Sequence, residues 1–228
     1  QLLSEINPFS RMAPGSGGAF HPTDLVRLAR SSTRGVSDDV IAEMFSASIG
    51  VLHRHFTEKG SHLVLRDHAH SSFCFGDREP GPPTLRDALR DDYRLRSIVT
   101  VRHPLDSYLS LYCNGWCHFT PASLDEYAKR YIDFLDRHAD CTLFYYEDFV
   151  DDADNVLAEM TSALEINFST VYREVFSAHR LSGDSGRRGG GIERRQRRAI
   201  PKEVQKELAC APRFAELCER LAYEFPSR

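Results

Sequence analysis

The stretch Val99-Thr100-Val101-Arg102-His103-Pro104-Leu105-Asp106-Ser107-Tyr108-Leu109-Ser110 reads as a strand running into a helix. The β-branched, apolar run up to Val101 suits a buried strand. Pro104 stands where a first helical turn begins, because its ring presets φ and its missing N–H is no loss there. Asp106 and Ser107 follow within that turn, where a negative side chain complements the helix dipole. A strand end feeding a helix N-terminus gathers unpaired N–H groups and a positive dipole end, so the turn suits an anion. Arg102 adds a forked, permanently charged donor, and Ser110 adds a hydroxyl about two helical turns further on. The same residues also fit a solvated strand end before an ordinary proline helix start, so the rest of the chain decides between the two.

Working outward, His62–Arg66, Leu95–Val101 and Cys141–Tyr145 read as short apolar strands separated by helical segments. That alternation implies an α/β fold: three layers, with a mostly parallel central sheet flanked by helices. Ligands in such sheets gather beyond the carboxyl ends of the strands, where Arg66, Arg102 and Tyr146 stand. Helices are expected over Pro22–Ala29, Ser37–Thr57, Pro104–Tyr112, Pro121–Arg137, Asp151–Leu164, Val171–Ser177, Pro201–Leu208 and Pro212–Tyr223. Ser37 with Asp38 and Asp39 forms a helix start, and Thr84 caps a brief helix reaching about Arg90. Leu124, Tyr127, Ala128, Tyr131, Ile132 and Leu135 form an apolar stripe at helical spacing. Gln1–Ile6 reads as the end of a helix. Asn7–Phe20, Asp67–Pro83 and the Gly/Arg-rich Leu181–Arg198 read as irregular connections.

With 228 residues, the chain is long enough for one domain with a substantial core. Hydrophobic content of 41% and charged content of 27% are ordinary for a globular protein. The net charge of −4 argues against a general nucleic-acid or membrane binder, although Arg187, Arg188, Arg194, Arg195, Arg197 and Arg198 crowd one segment. No apolar run approaches the ~20 residues that cross a bilayer, and no signal-peptide pattern opens the sequence. A cytoplasmic protein is therefore expected, with a Golgi form still compatible if an N-terminal anchor was removed. The 6 cysteines form no CxxC pair and fit reduced, mostly buried thiols. Cys113-Asn114-Gly115-Trp116-Cys117-His118 has the wrong spacing for haem attachment and lacks further zinc ligands, so it reads as helix-end packing and no metal is expected.

Four pieces of this sequence together resemble the sulfotransferases that use 3′-phosphoadenosine 5′-phosphosulfate (PAPS). Arg102 and Ser110, in Val-Arg-His-Pro-Leu-Asp-Ser-Tyr-Leu-Ser, are similar to that family's clamp on the cofactor's 3′-phosphate. Tyr145-Tyr146-Glu147-Asp148-Phe149 resembles its strand-end Tyr-Glu-Asp, whose tyrosine lies near the adenine. Gly183-Asp184-Ser185-Gly186-Arg187-Arg188 resembles the late loop that closes over the 3′-phosphate. Leu63-Val64-Leu65-Arg66-Asp67-His68 resembles the strand whose end carries the catalytic histidine.

The resemblance implies a P-loop NTPase-like sulfotransferase fold in one domain spanning residues 1–228. It also implies transfer of a sulfuryl group from PAPS to a hydroxyl or amine, leaving the 3′,5′-bisphosphate PAP. The family opens with a strand and a phosphosulfate loop leading into a helix, and both are expected to lie upstream of Gln1. Where Arg66 stands, the family often has lysine. In this reading Arg102, Ser110, Tyr146, Gly186, Arg187 and Arg188 bind the cofactor, with Arg187 or Arg188 completing the phosphate clamp. Glu147 and Asp148 read as caps of the helix that follows.

Sulfuryl transfer needs acceptor and leaving group in line, and stabilisation of the charge that grows on the bridging oxygen. His68 is the expected general base, because an imidazole pKa near ~6.5 suits proton removal near neutrality; His70 is the alternative. Asp67 is placed to orient it, and Arg66 to steady the transferring group. Three other readings stay open: a P-loop-type kinase whose phosphate loop lies upstream, an RNA-binding module using Arg187–Arg198, and a cofactor-binding scaffold without turnover. Acceptor identity (small molecule, glycan or lipid) and oligomeric state are not legible; Phe73, Phe75, Trp116 and Phe119 fit an acceptor pocket or ordinary core.

Overall fold

The computed structural model describes residues 2–4 (backbone only), 26, 29, 32–68, 73–76, 83–176, 191–194 and 196–226. Among them the strands are β1 (Leu2–Ser4), β2 (Val64–Arg66), β3 (Phe75–Gly76), β4 (Ile98–Val101), β5 (His118–Phe119) and β6 (Thr142–Tyr145). The helices are α1 (Asp38–Glu58), α2 (Leu85–Leu89), α3 (Pro104–Cys113), α4 (Leu124–Arg137), α5 (Tyr146–Asp151), α6 (Ala153–Ala163), α7 (Tyr172–Val175), α8 (Lys202–Leu208) and α9 (Pro212–Arg220). The fold is mixed α/β. Its strands pair in parallel two by two, β1 with β2, β3 with β5 and β4 with β6, and helices flank them. No helix among the described residues is long and apolar enough to cross a membrane.

The chain forms two compact units. The first contains β1, α1, β2, α2 and α7. Its core is the buried face of α1, where Ile41, Phe45 and Ile49 recur at four-residue spacing and meet Val26, Leu85 and Leu89. Ser37 takes the N-cap position with extended backbone, but its side chain makes no capping bond, so Asp38 and Asp39 carry the favourable dipole interaction. At α2 the expected cap is a full capping box: Thr84 Oγ1 accepts from Asp87 N at 3.1 Å, and the Asp87 carboxylate accepts from Thr84 N at 2.9 Å.

Leu2–Ser4, expected as helix, is instead a strand in register with Val64–Arg66. Six residues hold fewer than two helical turns, which are marginal alone, while the edge of β2 offers main-chain partners. The expected helix over Pro22–Ala29 is helical at Val26 and Ala29 and otherwise lies outside the described residues.

The second unit contains the remaining elements. Its core gathers Val99 and Val101 of β4, Leu105, Tyr108 and Leu109 of α3, and the predicted stripe of α4. Phe214, Leu217 and Cys218 of α9 complete it. Glu207 of α8 reaches back over a long sequence separation, its carboxylate accepting from Leu124 N at 2.6 Å at the start of α4 and from the Tyr108 hydroxyl at 3.3 Å. Phe73 and Phe119 are core residues here, which settles them as packing. Of the cysteines only Cys74 and Cys218 are buried; all are free thiols, and Cys113 and Cys210 are exposed.

Arg130, a polar residue at a helix position facing inward, is 2% exposed. Its Nη1 donates to the carbonyls of Phe73 and Gly76 at 3.2 and 3.0 Å, its Nε donates to Glu126 at 2.6 Å, and its guanidinium lies 5.1 Å from the centre of the Phe119 ring. It thereby fastens the β3 segment and β5 to α4, two strands too short for any periodic signature. Arg130→Ala, which strands a half-buried carboxylate and two carbonyls, is expected to lower unfolding free energy by about 3–5 kcal/mol in chemical denaturation. A loss under ~1 kcal/mol would show that the β3 segment holds without it.

Candidate functional site at the strand ends

In the first unit, Arg66 ends β2 half-buried, and His68, two residues on, is exposed. Asp67 Oδ1 accepts the main-chain N–H of His68 at 2.7 Å, so this carboxylate shapes the turn beyond the strand. Of the remaining expected site residues, Arg102, Ser110 and Tyr146 belong to the second unit, while His70, Gly186, Arg187 and Arg188 lie outside the described residues.

The second unit's site is built on the β4–β6 pair. Val101 and Tyr145 are partners in the last register position, so Arg102 and Tyr146 follow equivalent points of two adjacent strands. Tyr146 starts α5 and is 36% exposed. Arg102, half-buried, folds onto the first turn of α3: its Nε donates to Ser107 Oγ at 2.9 Å and its Nη2 to the Asp106 carbonyl at 2.7 Å. Ser110 lies one turn beyond Ser107 on the same helix and is partly buried.

The main-chain donors of that turn are not open, contrary to expectation. His103 is the N-cap, and its Nδ1 accepts from Leu105 N at 3.2 Å. The N–H groups of Asp106 and Ser107 both go to the His103 carbonyl, at 3.0 and 3.2 Å. A histidine before the proline supplies its own acceptor, so the turn's capacity for an anion rests on guanidinium groups more than on amides.

Sequence reading missed three further residues. Glu147 was expected as a cap; instead it lies in the first turn of the unforeseen α5, with Asp152 capping α6 in its place. The Glu147 carboxylate crosses to the neighbouring strand end, accepting from His103 N at 3.1 Å and from the Tyr223 hydroxyl at 2.6 Å. Tyr223 also packs against the His103 and Tyr145 rings, at 4.9 and 5.8 Å between centroids. Arg197 makes a two-pronged ion pair with Asp106, Nε to Oδ1 at 2.7 Å and Nη2 to Oδ2 at 3.3 Å. Two guanidinium groups therefore meet at Asp106, one on its carbonyl and one on its carboxylate. Arg194 is similarly engaged, by Asp151. Only the crowding of arginines hinted at Arg197, and nothing local hinted at Glu147 or Tyr223.

Burial and the charge of Arg197 push the His103 pKa below its ordinary value, against the opposing pull of Asp106, a hydrogen bond to the Glu224 carbonyl and Glu147. Burial and the Glu207 carboxylate raise the Cys117 thiol to about 11, which leaves it protonated and inert near neutrality. A cavity of about 620 Å³ opens between β6 and α6, lined by Leu143, Tyr145, Asp148, Val156, Glu159 and Ser162 among others. It carries acidic and apolar side chains and none of the arginines, so the candidate site is the strand end. Among the described residues no group of three or more His, Cys, Asp or Glu is placed to hold a metal ion.

No protein-family profile and no curated protein sequence matches the chain. Among solved structures, it is similar to a sulfotransferase domain from the curacin biosynthetic pathway, at 15% sequence identity and a TM-score of 0.44, over 82% of this chain and 73% of that one. A likeness this low carries neither fold nor function, which rest on the residues themselves.

The capping role of His103 has a pH signature. Below the ordinary histidine value of 6.5, the unfolded chain takes up a proton that folded His103 resists. Stability from this group is therefore complete above about pH 6.5 and is lost as pH falls toward the lowered folded value. His103→Asn keeps a side-chain acceptor for Leu105 N and removes the titration. The drop in melting temperature between pH 7.5 and 5.5 is expected to shrink in that variant; an unchanged drop assigns the acid sensitivity to other groups.

Proposed function

We propose that this chain is a cytoplasmic PAPS-dependent sulfotransferase of P-loop NTPase-like architecture, acting on a hydroxyl or amine acceptor. What supports the reading is one observation above the others: Arg102, just beyond β4, is held by two acceptors on one side of its guanidinium, and among the described residues none is bonded to its Nη1. A guanidinium presents two parallel N–H pairs. Ser107 and the Asp106 carbonyl take the Nε/Nη2 edge, and among the described residues no hydrogen bond engages the Nη1/Nη2 edge. That second edge matches two oxygens of a phosphate monoester. That edge suits a phosphate monoester, the group a nucleotide carries at its 3′ position in this proposal.

The bound cofactor would supply an activated sulfuryl group on a phosphate leaving group. In this proposal Arg102 grips the 3′-phosphate with its open edge, Ser110 adds a hydroxyl, and Gly186, Arg187 and Arg188 close the loop over it. Tyr146, exposed beside β6, supplies an aromatic face for the adenine. Arg66 balances negative charge at the transferring group, and His68, exposed at its turn, takes the acceptor's proton. The acceptor class follows from whichever hydroxyl or amine reaches His68.

Two measurements test this. In titration calorimetry with adenosine 3′,5′-bisphosphate, the protein is expected to bind and Arg102→Ala to bind roughly tenfold to a hundredfold more weakly, the effect of losing charged hydrogen bonds. In a labelled-sulfate transfer assay, His68→Gln is expected to lower kcat by about 10²-fold or more while leaving bisphosphate affinity intact. Absence of bisphosphate binding overturns the cofactor assignment, and undiminished turnover in His68→Gln overturns the assignment of the base.

A further inference from the structure

We propose that Ser107 is a positioning residue: by holding the Nε side of Arg102 it dedicates the opposite edge of that guanidinium to a 3′-phosphate, and so sets the site's preference for a 3′-phosphorylated nucleotide. This rests on the reading of Arg102 as an anion ligand given above.

An arginine on a flexible stem reaches a phosphate in many poses, and ordering it on binding costs rotamer entropy. Here the ordering is done in advance. Nε donates to Ser107 Oγ at 2.9 Å and Nη2 to the Asp106 carbonyl at 2.7 Å, two acceptors on adjacent residues of one rigid turn. Together they fix the plane of the group as well as its place. The Asp106 carbonyl alone leaves the plane free to rotate about one bond. Ser107 supplies the second point, so the rigidity depends on its hydroxyl.

Ser107 acts from behind. Its oxygen accepts from Nε, so it stands on the edge already used and not on the edge that faces a ligand. Its surroundings are arranged for that duty: the buried Tyr127 of α4 places its hydroxyl against Ser107 and feels the charge of Arg102, and Tyr131, one turn along, does the same against the Arg102 main chain. Burial pushes both phenols far above their usual range, so they remain neutral and leave the positive charge of Arg102 uncompensated on that side. The Asp106 carboxylate of the same turn is occupied by Arg197, and the Glu147 carboxylate by the His103 N–H and the Tyr223 hydroxyl. Among the described residues Arg102 itself makes no ion pair, so its charge is left for an anion.

The experiment compares two nucleotides by calorimetry, adenosine 3′,5′-bisphosphate and adenosine 5′-monophosphate, on the intact chain. Wild type is expected to prefer the bisphosphate. Ser107→Ala is expected to lose about tenfold of that preference with 5′-monophosphate affinity unchanged, and Ser107→Thr to retain it. In the Arg102→Lys background, where no fork exists to be oriented, Ser107→Ala is expected to have no further effect. If Ser107→Ala keeps the full preference, weakens both nucleotides alike, or adds its whole effect on top of Arg102→Lys, the positioning role is overturned while the proposed function stands. If wild type itself shows no preference for the bisphosphate, the reading of Arg102 falls and this inference with it.

Discussion

One carboxylate sets the geometry of the second unit's strand ends. Glu147 stands two residues beyond β6, yet its two oxygens serve other parts of the chain, the main-chain N–H of His103 beyond β4 and the hydroxyl of Tyr223 near the C-terminus. Hydrogen bonds to an ionised acceptor contribute about 1.5–3 kcal/mol each, roughly twice the neutral kind. This pair ties the exits of two parallel strands to each other and to the returning C-terminal segment. With His103 held by its own backbone, its ring is free to turn inward, cap α3 and pack on Tyr223. Arg102, the residue before it, is thereby placed at the mouth of the turn.

The charge arrangement around that turn follows from how its amides are spent. A helix start in water leaves its first N–H groups open, and many anion sites use them. Here the His103 ring and carbonyl absorb those of Leu105, Asp106 and Ser107. What remains is the dipole and two guanidinium groups meeting at Asp106. One arginine pairs with that carboxylate; among the described residues the other donates its side-chain hydrogen bonds to neutral oxygens alone, a hydroxyl and a carbonyl. The same economy is visible in the core, where Arg130 is buried only because two carbonyls, a carboxylate and an aromatic face receive it.

Features with a local cause are legible in the residues alone. Pro104 marks the start of α3, Thr84 caps α2, the α4 stripe repeats with the helical period, and short apolar runs stop at Arg66, Arg102 and Tyr146. Each follows from neighbours within about four residues, the reach of a helical turn or a strand's alternation. Leu2–Ser4 departs from the expected helix for the same reason: over so few residues local spacing fits helix and strand alike, and the edge of β2 makes the choice. Only the fold brings Glu147 to a neighbouring strand end and to a tyrosine 76 residues away, and Arg197 across 91 residues to Asp106. Such partners depend on where the chain returns after folding, and a side chain's spacing along the sequence holds no record of that path.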